Sequence, residues 1–65
     1  MKILLGEIMY KKNLSVRQVS KMTEIPASTI NDIMTGRSIP RINTLEQIAK
    51  GLKIHIIDLF ESPYK

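Results

Sequence analysis

Sixty-five residues, 43% hydrophobic and 25% charged, suffice for one compact domain over residues 1–65 and exclude a second domain, a large active-site cavity and a disordered tail. The absence of cysteine removes disulfides, thiolate metal sites and cysteine nucleophiles, and a single histidine, His55, builds no metal site, so neither metal nor cofactor is expected. Ten Lys and Arg against six Asp and Glu leave a net charge of +4, which points to a polyanion partner, nucleic acid before a membrane surface, with simple solubility as the plain alternative.

Helical spacing runs through the chain. Met1, Leu4, Leu5, Ile8 and Met9 share one face of a first helix over residues 1–12, which Lys11, Lys12 and Asn13 end. Ser15 starts a second, with Gln18 placed to complete a capping box and Leu14 to staple onto Val19. Its inner stripe reads Val16, Val19 and Met22, with the small Ser20 beside it. Thr23, Glu24 and Ile25 break the run, and Pro26 forces Ile25 extended. Pro26 opens a third helix with Ile30, Ile33 and Met34 inward, and Gly36 stops it in left-handed geometry. Ile42, Leu45, Ile48, Ala49 and Leu52 form a fourth stripe. Ile56, Leu59 and Phe60 bury a short fifth, with Asp58 in its first turn and His55 before it as a cap or a solvated side chain. Period-two alternation is absent, so no sheet is expected. The prediction is an all-α bundle of five short helices around an aliphatic core, since Tyr10, Phe60 and Tyr64 are the only aromatics.

Ser15–Thr23 and Pro26–Thr35 form two short helices around a tight break, the helix-turn-helix layout. The outer face of the second helix of this pair is short and polar, so it could lie deep in a major groove about 12 Å wide. The first of the pair points N-terminal amides at a phosphate, and Arg17, Lys21, Arg37 and Arg41 stand near the ends and loops where phosphates would pass.

Over roughly residues 4–60 the chain resembles the Cro/repressor-type helix-turn-helix domains of phages and bacteria. The resemblance rests on Leu14-Ser15, on Val19-Ser20 where the family usually has Leu-Ala, and on Ile25, Ile30, Gly36 and Pro40. Thr44-Leu45, Ile48-Ala49, Leu52, Ile54, Ile56 and Leu59-Phe60 continue it in order and at the family's spacing. It implies a five-helix bundle that binds operator DNA as a two-fold symmetric pair. Base-reading positions fall on Ala27, Ser28, Asn31 and Asp32, and phosphate-contact positions on Ser15, Val16, Thr29, Thr35, Arg37 and Arg41, with Arg17 added from its place at the helix start.

Several residues depart from the family. Val16 leaves only a backbone amide for phosphate, and Glu24 stands where the turn often has Gly. Ala27 offers a thymine methyl only an apolar contact, and Asp32 accepts hydrogen bonds but donates none. Met9 and Met34 replace an Arg and a Glu that the family often pairs, so the two methionines are expected to touch in the core. Ile57 replaces a polar residue and, with Phe60, is the expected subunit contact. Lys11, Lys12, Lys53 and Lys65 read as solvated charges.

The leading function is a sequence-specific, repressor-like transcriptional regulator in the cytoplasm that binds double-stranded DNA as a homodimer. A protein-interaction module, an antitoxin or anti-regulator with secondary DNA binding, is the alternative kept open by a reading face without Arg, Lys or Gln. No membrane association or small-molecule ligand is expected, and no enzyme: paired carboxylates, an activated nucleophile and a Gly-rich phosphate loop are all lacking.

Overall fold

Four signals in the chain become four α-helices in the computed structural model, which describes residues 2–64. They are α1 (Leu5–Lys12), α2 (Val16–Thr23), α3 (Ala27–Met34) and α4 (Ile42–Leu52). The expected fifth helix is instead a single 3₁₀ turn, Ile56–Leu59. Four residues before an extended Phe60 are too few to establish an α-helical ladder.

Helix boundaries follow their caps. Ser15 Oγ accepts from the Gln18 amide at 3.2 Å and Gln18 Oε1 accepts from the Ser15 amide at 2.8 Å, so the capping box forms as read. Pro26 precedes α3 as its cap rather than its first residue, and Gly36 turns the chain at φ 80°. The first helix begins at Leu5, later than the apolar spacing implied; Met1 lies outside the described residues. In place of the first helical turn, β1 (Lys2–Ile3) pairs antiparallel with β2 (Phe60–Glu61), Lys2 opposite Glu61 and Ile3 opposite Phe60. The Leu4 amide donates to the Leu59 carbonyl at 2.8 Å and continues the closure. Two-residue strands are too short to show any alternation, which is why the sequence hides them.

The core is aliphatic: Leu5, Met9, Val19, Ile25, Ile30, Ile33, Leu45, Ile48, Ala49, Leu52 and Leu59. Three expected core positions lie elsewhere. On α2 the inward stripe runs Val16, Val19, Ser20 and Thr23, an i, i+3, i+4, i+7 set with Val19 and Thr23 buried and Val16 and Ser20 half-buried, and this leaves Met22 off the stripe and 45% exposed. Ile42, the first residue of α4, is 63% exposed. Met9 is buried, but Met34 ends α3 at the rim of the core with 40% of its surface exposed, so the expected methionine pair is not enclosed.

Helix α4 packs on α2 at a glycine. A Cβ at Gly51 would stand 2.6 Å from the Met22 carbonyl oxygen and 2.7 and 2.9 Å from Thr23 Cγ2 and Cα. Nothing can occupy that space unless backbone moves. Gly6, by contrast, has nothing within 4 Å of the same position. Gly51→Ala should therefore destabilise the fold by about 1–3 kcal/mol through overpacking. Gly6→Ala should stabilise it by about 1 kcal/mol through helix propensity. Denaturant unfolding of the two variants checks both signs together.

Candidate nucleic-acid interface

Residues Glu24–Pro26 join α2 to α3, and polar side chains hold the connection. Glu24 ends α2 at φ 61°, a left-handed conformation that costs a residue with a Cβ roughly 1–2 kcal/mol. The surroundings compensate. Ser20 Oγ donates to the Ile25 carbonyl at 2.6 Å, Thr23 Oγ1 donates to the Val19 carbonyl at 2.7 Å, and Gln47 Nε2 reaches from α4 to the Thr23 carbonyl at 2.7 Å. Buried Ile25 plugs the turn into the core. The orientation of α3 is thus set from two sides.

On α3 the four expected base-reading residues share one face, since Ala27 with Asn31 and Ser28 with Asp32 are i, i+4 pairs. Ala27, Ser28 and Asn31 are exposed, and Asp32 is half-buried. The Asp32 carbonyl accepts the Arg37 and Ser38 amides at 2.9 and 3.2 Å, tying the following loop to the helix end. Pro40 is buried and pins the far end of that loop.

The expected phosphate positions divide by chemistry. Ser15, Arg17, Arg37 and Arg41 are exposed, and Val16 and Thr29 are half-buried. Ser15 Oγ uses an acceptor lone pair in its cap, which leaves its O–H to donate. The Val16 and Arg17 amides occupy the first turn of α2, where a helix has no internal acceptor for them. Thr35 is different: its hydroxyl and its amide both donate to the Asn31 carbonyl at 3.0 Å, so an outside acceptor must first turn the hydroxyl away. Among the described residues one ion pair is found, Lys2 with Glu7 at 3.7 Å, and it involves none of the three arginines.

A family model described as helix-turn-helix matches residues 6–59. The chain belongs to the Cro/repressor-type helix-turn-helix family. No curated protein and no solved structure matches it significantly. This helix-turn-helix protein is therefore a double-stranded-DNA-binding regulator in the general sense of its family. Both strands of the small ladder fall outside the matched residues. Among the described residues no helix is long and apolar enough to cross a membrane.

Sequence reasoning missed Gln47 and Gly51, which carry no nucleic-acid signal because their part in the helix-turn-helix protein is to hold the α2–α3 turn. Gly51 offered only a weak hint, since a glycine inside an apolar helical stripe costs helix propensity, yet Gly6 shares that setting without a close approach. Gln47, a polar residue on a helix, offered none. Glu24→Gly should stabilise the protein by roughly 1 kcal/mol by relieving the left-handed strain. Gln47→Ala should cost about 1–2 kcal/mol for the unpaired Thr23 carbonyl. Thermal unfolding of each variant decides both.

Proposed function

We propose that the protein is a sequence-specific, repressor-like transcriptional regulator that works in the cytoplasm. In this reading α2, the Glu24–Pro26 turn and α3 form the helix-turn-helix unit, and α3 enters the major groove. The observation that carries it is the outer face of α3: Ala27, Ser28 and Asn31 are short and exposed, and arginines without an ion-pair partner among the described residues lie before and after the helix in the chain. Short side chains on that face let the helix backbone come close to the base edges.

Each residue then has a role that its chemistry permits. Asn31 presents both a donor and an acceptor to a base edge, and Ser28 either one. Ala27 can touch a thymine methyl, and Asp32 can accept from a cytosine amino group while repelling acceptor-rich edges. Ser15, with the Val16 and Arg17 amides, faces one phosphate, aided by the positive end of α2. Thr29, Arg37, Arg41 and, after rotation of its hydroxyl, Thr35 face others. Few long readers mean that DNA shape supplies part of the specificity. Ile57, exposed on the 3₁₀ turn, lies at the contact of a two-fold pair, with the half-buried Phe60 at its edge.

Binding should weaken steeply with salt, each neutralised phosphate adding about −0.9 to the slope of log K against log salt. Arg37→Ala should flatten that slope by about one unit and weaken all sequences alike. A titration by mobility shift at several salt concentrations reads both; a flat wild-type slope would favour the protein-interaction module instead. Ser28→Ala and Asn31→Ala should alter base preference by about 1–3 kcal/mol at the affected base pair. Selection from a random DNA pool measures this, and an unchanged preference in both variants removes them as readers.

A further inference from the structure

We propose that the groove between the end of α1 and the 3₁₀ turn is the socket for Ile57 of a second copy of this chain. The inference rests on the two-fold pair proposed above and specifies how its two halves engage. The groove measures about 280 Å³ and is lined by Ile8, Lys11, Lys12, Ile54 and Asp58. Its apolar walls are Ile8 and Ile54, both half-buried against the core. Its rim carries both signs: Lys11 and Lys12 from α1, and Asp58 from the turn, with no ion pair joining them among the described residues.

Immediately beside this socket stands a knob. Ile57 is 53% exposed and directly precedes Asp58, which lines the groove, so the knob stands one residue from the socket in the chain. A two-fold interface joins identical patches, so every residue that inserts must find its receptor on the same surface. This patch meets that requirement twice. In shape, an exposed β-branched side chain adjoins an apolar groove. In charge, the residue next to the knob is an acid, and the groove it would approach is edged by two lysines against its own single Asp58. Seating Ile57 in the partner's groove brings Asp58 to the partner's Lys11 and Lys12, and the symmetry repeats the contact. A partner of one uniform charge would satisfy only half of the rim. The self-complementary arrangement therefore favours a second copy over an unrelated acidic or basic segment.

The chain has no cysteine of its own, so disulfide trapping reports directly on this geometry. The Ile57→Cys chain is mixed with Ile8→Cys or, separately, with Lys12→Cys, with and without operator DNA, and oxidised; thermal unfolding first verifies that each variant is folded. Reciprocal insertion predicts that the mixed disulfide exceeds the Ile57→Cys self-linked product several-fold with at least one groove position. Dominant self-linking of Ile57→Cys would mean that the two knobs meet head-on, which overturns the socket but keeps a dimer through Ile57. Absence of every linked product, in samples that sediment as dimers, overturns the socket as well. Sedimentation of Ile57→Asp separates the underlying reading: an unchanged dimer there places the interface elsewhere and removes both ideas.

Discussion

The close approach of α4 to the end of α2 is the constraint on which the remaining geometry depends. It exists because Gly51 has no side chain where the Met22 carbonyl and Thr23 press against it. At that distance Gln47, one turn earlier on α4, reaches the Thr23 carbonyl. Thr23 in turn returns its hydroxyl to Val19. A last helical turn anchored this firmly can end in a left-handed Glu24, a conformation that costs energy in isolation. The chain then leaves in the one direction that buries Ile25 and starts α3 at Pro26. The angle of α3, the helix proposed to face DNA, is thus decided by packing on the opposite side of the turn.

The surface proposed to face DNA obeys a different logic. It needs side chains that remain unsatisfied within the protein, and the chain supplies them by omission. Arg17, Arg37 and Arg41 lack acidic partners among the described residues, and Ser28 and Asn31 are exposed. The capping box engages the Ser15 amide and the acceptor side of its hydroxyl, yet leaves the hydroxyl donor outward. Thr35 shows the contrast: its donors are turned inward to the Asn31 carbonyl, which steadies the end of α3 and leaves it less free for the phosphate contact proposed for it.

Chain closure also prepares the proposed subunit contact. The ladder of Lys2–Ile3 with Phe60–Glu61 holds both ends of the domain together and seats Leu59 fully in the core. With Leu59 inward on a four-residue turn, Ile57 faces solvent, and Asp58 accepts the His55 amide at 3.2 Å to fix the start of that turn. His55 itself serves through its backbone.

The local sequence by itself determined four helices, because each has an apolar stripe at helical period, and α2 and α3 also have legible boundaries in the Ser15–Gln18 box, Pro26 and Gly36. The residue types of the surface proposed to face DNA were legible as well, since short polar and basic side chains at these positions depend on nothing distant. Tertiary structure alone decided the rest. Met22 and Ile42 are apolar at near-helical spacing, yet their surroundings leave them exposed, because the direction of a stripe is set by its neighbours. The ladder pairs residues at opposite ends of the chain, and a two-residue strand carries no periodicity to read. The fifth helix shrank to one 3₁₀ turn because pairing of Phe60 with Ile3 pulled the chain extended where apolar spacing would have continued it. Gln47 and Gly51 acquire meaning only when α4 meets α2, since a close approach between distant segments is a property of the packed chain and of no segment alone.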